Sequence, residues 1–204
     1  MAKTTSAIEA PIDTIEPVRD IHTERALGFW LYLMSDAVIF ALLFATYVVM
    51  TRGIADGPSG AEVFDIRTTF TETVVLLAST FTFGLVTLAV ARGSSRAAIG
   101  WLAVTLLLGA VFVTIEIAEF NRMLAAGAGP DRSGFLSAFF TLVATHGVHV
   151  SAGLYWIGVS IVQIARKGLS DATISRITRL GLYWHFLDLV WIGIFSIVYL
   201  PGVV

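Results

Sequence analysis

Two histidines three residues apart, His146 and His149, sit within the apolar run ATHGVHVSAG, and His185 and Asp188 repeat that spacing in YWHFLDLVW. Residues three apart project from nearly one face of a helix, so each pair presents a polar stripe. Imidazole ligates haem iron, copper or zinc, and a histidine followed by an acid can support a metal site or a proton relay. A bis-histidine haem takes its two ligands from different helices on opposite sides of the ring, which one pair on one face does not supply. A His-x-x-His pair with one distant histidine is also thin for a dinuclear oxygenase site. The structural alternative is that these histidines satisfy buried acids and lock helices together. A self-contained membrane cytochrome of the b type remains the competing possibility on the residues alone.

The acids sharpen that choice. Asp36, Glu72, Glu116, Glu119 and Asp188 all fall within apolar stretches that hold no Lys or Arg. An isolated carboxylate in a bilayer is costly, so such groups are protonated, hydrogen-bonded or paired across a helix interface. Asp36 is a candidate for proton uptake or, more simply, for an internal hydrogen-bonded connector. Glu116 and Glu119, again three apart, read as an interfacial cap or loop anchor within reach of Arg122.

The elements that must position these residues follow from composition. Hydrophobic residues make up 56% of the 204-residue chain, charged residues 14%, and the mean hydropathy is +0.83, the balance of a membrane protein. A net charge of -2 offers no footprint for nucleic acid. The absence of cysteine excludes disulfides, thiolate metal sites and thiol nucleophiles. Residues 1–26 are polar and lack the apolar core of a signal peptide. They read as a tail, with Pro11 and Pro17 opposing one continuous helix. Residues 27–204 read as an all-α membrane domain. A hydrocarbon core of roughly 30 Å needs about 20 apolar residues per helix, and five stretches qualify, near 28–50, 70–91, 98–120, 136–165 and 180–200. Gly53, Gly57, Pro58, Gly60, Gly93, Ser94, Ser95, Gly127, Gly129, Pro130 and Gly168 separate them.

Basic residues set the direction. Lys3, Arg19, Arg25, Arg92, Arg96, Arg166, Lys167, Arg176 and Arg179 fall on one side, against Arg52, Arg67, Arg122 and Arg132 on the other. The N-terminus is therefore expected in the cytoplasm and the C-terminus outside. Trp30, Trp101 and Trp184, near span starts, fit an interfacial aromatic belt.

Depth follows from a rise of 1.5 Å per helical residue. Asp36 lies about 12 Å from the inner end of its span, His185 and Asp188 about 8 to 12 Å, and His146 and His149 about 10 to 15 Å from the inner side of the core. Asp36, His149, His185 and Asp188 are thus expected to share one inner polar layer. Glu72, Glu116 and Glu119 fall near the outer boundary, where Arg122 is expected to reach them. Gly147 and Ser151 form a small-xxx-small surface for close approach of another helix, and Gly109 and Gly153 read as further packing positions.

Taken in order, LYLMSDAVIF, TETVVLLAS, EIAEF, ATHGVHVSAG and YWHFLDLVWI resemble the successive signatures of subunit III of haem-copper terminal oxidases. The resemblance runs from about Gly28 to Leu200, and GPDRSGFLSAFF and VQIARKGL are similar to the bo-type ubiquinol oxidase branch. Five spans instead of seven also resemble that branch. The resemblance implies a non-catalytic subunit of the bacterial inner membrane that carries neither metal nor haem and supports assembly, stability and phospholipid binding. It implies partner subunits I, II and IV, with two haems and a copper in subunit I, which oxidises ubiquinol, reduces oxygen to water and pumps protons. Asp36 stands where many cytochrome oxidase relatives carry Glu. Accessory subunits of cytochrome c oxidases and nitric oxide reductases are the related alternatives. A small transporter is disfavoured, since the spans show no repeat symmetry and no broken helix.

Overall fold

Five long helices, all apolar enough to cross a membrane, are packed side by side in the computed structural model, which describes residues 21–55 and 57–202. They are α1 (Ile21–Met50), α3 (Ile66–Ala91), α4 (Ser95–Ala125), α5 (Gly134–Lys167) and α6 (Asp171–Ile194). A single turn, α2 (Gly60–Val63), lies in the first connection. Beyond α6 the chain widens into a π-helical turn at Phe195–Tyr199 and closes with a last helical turn at Leu200–Gly202.

The ends are set by local chemistry. The first free N–H groups of a helix need acceptors. Here they find side chains: Asp65 accepts from Arg67 N, Ser94 from Ala97 N, Ser133 from Leu136 N and Ser170 from Thr173 N. Gly93, Gly127 and Gly168 follow the C-termini at φ 70°, 75° and 65°, left-handed conformations that favour glycine. These caps make four of the helices longer than their apolar segments. The apolar stretch near 70–91 begins at Ile66, that near 98–120 runs from Ser95 to Ala125, that near 136–165 from Gly134 to Lys167, and that near 180–200 starts at Asp171. Likewise α1 begins at Ile21, inside the stretch taken from its polarity as tail, while Pro11 and Pro17 lie outside the described residues.

In the bundle α6 packs on α3, α5 and α1, while α4 bridges α3 and α5. The largest buried side chains, Trp184 and Trp191, both belong to α6 and mark it as the core helix. Trp184 is therefore a correction to the expected interfacial belt. Its indole is fully buried, sits against Gly109 and Gly153, and donates from Nε1 to Ser79 Oγ at 3.2 Å. Trp30 and Trp101 are exposed. α1, packed chiefly on α5 and α6, leaves Leu31, Val38, Leu42 and Val49 uncovered.

Candidate functional site

Between α1 and α5, His149 and Asp36 face each other with Nε2 and Oδ2 3.7 Å apart. The other ring nitrogen fixes the tautomer. Nδ1 lies 2.7 Å from the Thr145 carbonyl, which only accepts, so Nδ1 carries a hydrogen. Attraction across the 3.7 Å gap then requires one further proton, held either by Nε2 or by the Asp36 carboxyl. Tyr183 from α6 donates to the His149 carbonyl at 2.9 Å and closes the site from a third helix.

A second pair lies between α3 and α6. Thr80 donates to Asp188 Oδ2 in a short hydrogen bond, and His185 Nδ1 stands 3.6 Å from the same oxygen. Asp188 is buried and the His185 side chain half-exposed. The single inner layer expected from depth is thus two separate pairs: Asp36 meets His149, and Asp188 meets His185 and Thr80. Depth along parallel helices fixes height but not which neighbour a side chain turns towards.

His146 has a different surrounding. It is fully buried, its ring stacks on Trp191 at 5.4 Å, and Phe40 and Phe112 meet it edge-on. Neither ring nitrogen has a hydrogen-bond partner. The expectation that every histidine satisfies a buried acid is therefore corrected here, because the i+3 spacing points His146 into aromatic packing one turn from the acid that His149 reaches.

At the other end of the bundle Glu72, Glu116 and Glu119 are all buried. Arg122 reaches only one of them, with Nη2 3.4 Å from Glu119 Oε1, and its Nη1 lies 3.8 Å from Asp65 Oδ2. The Asp65 carboxyl is held below the usual carboxylate range, chiefly by the Thr68 hydroxyl, then by the Arg67 backbone N–H, with a smaller contribution from Arg122. Both oxygens of Glu72 and of Glu116, Oε2 of Glu119 and the Tyr199 hydroxyl have no hydrogen-bond partner. The expectation that Arg122 serves the whole outer layer is corrected accordingly: its guanidinium lies at the half-exposed margin and cannot span to the interior acids.

Thr80, Asp65, Tyr199 and the Trp191–Thr73 bond, 3.1 Å from Nε1 to Oγ1, are additions that charge and spacing do not single out. Gly109 and Gly153 do admit close packing, but Gly147 faces open space and Ser151 is exposed, so no helix among the described residues packs closely on that surface.

No three His, Asp or Glu side chains among the described residues converge as metal ligands would. His146, His149 and His185 are also poorly disposed for haem, being paired with an acid or enclosed by rings. The family model for cytochrome c oxidase subunit III matches residues 18–203. The chain belongs to that family. This subunit III chain is 51% identical to cytochrome bo(3) ubiquinol oxidase subunit 3 of Pseudomonas putida over 177 residues, 87% of this chain and 86% of that protein. It is 44% identical to quinol oxidase subunit 3 of Bacillus subtilis strain 168 over 176 residues, 86% of each. A third relative, cytochrome c oxidase subunit 3 of Bacillus sp. strain PS3, is 41% identical over 180 residues, 88% of this chain and 87% of its own. The five spans and these relatives make the chain a multi-pass protein of the bacterial inner membrane.

Proposed function

We propose that the chain is the accessory subunit III of a haem-copper ubiquinol oxidase, standing beside the catalytic subunit I and contributing no residue to electron transfer. The observation that carries the quinol branch is the 51% identity, over nearly the whole chain, to a ubiquinol oxidase subunit 3. The site geometry supports the accessory role: the polar side chains tie helices to one another, α1 to α5 through Asp36 and His149, and α3 to α6 through Thr80 and Asp188. On this reading two haems and a copper reside in subunit I, and subunits II and IV complete the complex. The N-terminus lies in the cytoplasm, with the polar segment before Leu27 on that side of the membrane domain. Phospholipid binds in a cleft between helices, and the subunit preserves the assembly and long-term stability of its neighbour.

Affinity purification of the chain expressed at its natural level tests this. A much larger haem-copper polypeptide should co-purify, and the preparation should oxidise ubiquinol with oxygen consumption. A chain that migrates alone on a native gel overturns the reading. A cytochrome c oxidase setting is the second reading, favoured by the Bacillus sp. strain PS3 relative, and turnover with reduced cytochrome c in place of ubiquinol would select it.

A further inference from the structure

We propose that Glu72, Glu116, Glu119 and Tyr199 form a proton-binding site inside the bundle, holding two protons that exchange with solvent by way of the Glu119 carboxyl at the half-exposed Arg122–Asp65 margin. The accessory role does not require such a site, and the inference stands on the geometry of this chain alone. Glu72 comes from α3, Glu116 and Glu119 from α4, and Tyr199 from the π-helical turn after α6. The Tyr199 hydroxyl, on a fully buried side chain, lies within electrostatic reach of all three carboxyls and has no hydrogen-bond partner. π-Helical turns within α-helical runs often occur at functional sites, and this one carries the phenol to the acids.

The charges do not balance without protons. Asp65 stands at the margin in front of α3, and among the ion pairs of the described residues Arg122 is the cation that meets the cluster, where it neutralises Glu119. α1 contributes Tyr47, whose hydroxyl donates towards the Val198 carbonyl at 3.4 Å. α5 contributes the rings of Phe135 and Phe139, and its nearest imidazole, His146, is stacked on Trp191 with both nitrogens unpartnered. Glu72 and Glu116 are left without a counter-charge, and leaving two buried carboxylates uncompensated is strongly unfavourable. The described donors do not converge on a metal position, so the balancing charge is two protons. Protonation also answers the hydrogen-bond deficit. With all three acids ionised, five carboxyl oxygens lack a partner, and Tyr199 is the one buried hydroxyl among the described residues left equally without one; each added proton turns an acceptor into a donor.

An apolar cleft runs up to one wall of the site. Glu116 borders an open cleft of about 210 Å³ between α4 and α5, lined also by Phe112, Val113, Gly147, Val148 and Ser151.

Infrared difference spectroscopy on the intact complex, comparing the natural subunit with Glu72→Gln and Glu116→Gln, tests the proposal. Each substitution should remove a component of the protonated-carboxyl carbonyl stretch, and Glu119→Gln should slow the deuterium shift of what remains. Spectra unchanged by both interior substitutions would overturn the proposal, as would a stoichiometric metal cation retained by the natural complex and lost with Glu116→Gln. Should the variants fail to assemble, dicyclohexylcarbodiimide on the unsubstituted complex gives an independent answer. A protonated carboxyl adds to the carbodiimide and rearranges to a stable N-acylurea, so mass spectrometry should find the adduct on Glu116, and an unmodified Glu116 refutes the site.

Discussion

Gly109→Ala tests the packing logic of the bundle at its tightest point. A Cβ at residue 109 would stand 2.6 Å from Leu154 Cδ2, 2.9 Å from Trp184 Cη2 and 3.2 Å from Trp184 Cζ2. Ordinary carbon contacts lie near 3.5 to 4.0 Å. The leucine methyl is the end of a flexible side chain and turns away cheaply. The indole does not: a Cβ at residue 153 on its far side would stand 3.0 Å from Cζ3, and Nε1 is tied to Ser79 at 3.2 Å. Overpacking of this kind costs about 1 to 3 kcal/mol, offset by up to about 1 kcal/mol from the better helix propensity of alanine. The net expectation is roughly 1 kcal/mol of destabilisation, about fivefold in the equilibrium. The assay is thermal release of the subunit from the purified complex, followed on native gels. Trp184→Phe alone loses the Ser79 bond and opens a void, but combined with Gly109→Ala the added methyl occupies part of that void. The double variant should therefore be more stable than the sum of the single effects predicts, by at least ~0.5 kcal/mol. A neutral Gly109→Ala, or strictly additive costs, refutes the argument.

Three further outcomes follow from the same contacts. Gly147→Ala, whose new Cβ meets nothing within 4 Å, should leave subunit release unchanged or delayed; earlier release would reveal a helix of another subunit seated there. Asp188→Leu should lower retention of the subunit by about 0.5 to 1.5 kcal/mol without altering the complex's haem spectra. The loss is limited because Thr80 also donates to the Leu76 carbonyl at 3.2 Å and the half-exposed His185 regains other partners; unchanged retention in detergent would remove Asp188 from the role of connector. Asp65 caps α3 with its carboxyl held below the usual range, so the native chain binds this proton less readily than the unfolded one. Its contribution is complete above the ordinary aspartate value of about 3.9 and fades as pH falls through the lower native value. Asp65→Ala should thus release earlier than the natural subunit at neutral pH, with the two curves converging in acid, and parallel curves would contradict the cap.

The helices were legible in the sequence because hydropathy reports them directly, and Gly93, Gly127 and Gly168 end them as a glycine stop signal should. The caps were harder: Ser133 and Ser170 are short polar residues among many, and only the direction of the chain makes them acceptors. His146 and His149 illustrate the limit of spacing. A separation of three residues puts both on roughly the same face, yet the offset between them sends one ring to Asp36 and the other into Phe40, Phe112 and Trp191. Glu72, Glu116 and Glu119 were visible as acids at one depth, whereas Tyr199 was not, because a tyrosine near a span end reads as interfacial until the π-helical turn is known to rotate it inwards.

The two polar regions of the bundle handle buried charge by opposite means. Towards one end each acid has an imidazole opposite it, so the pairs Asp36–His149 and Asp188–His185 can be neutral overall with a single shared proton, whichever partner holds it. The first pair joins α1 to α5, the second leaves the α3–α6 contact to Thr80, and neither needs exchange with the surroundings. Towards the other end three acids meet one half-exposed arginine and a phenol, and on the proposed reading neutrality there comes from bound protons. Substituting His149 should therefore perturb a helix contact, α1 on α5, whereas substituting Glu116 should perturb proton occupancy first and packing second. Measuring subunit release and the carboxyl infrared signal on the same two variants separates the cases. If His149→Phe removes a protonated-carboxyl band while Glu116→Gln accelerates release alone, the assignment of the two regions is reversed.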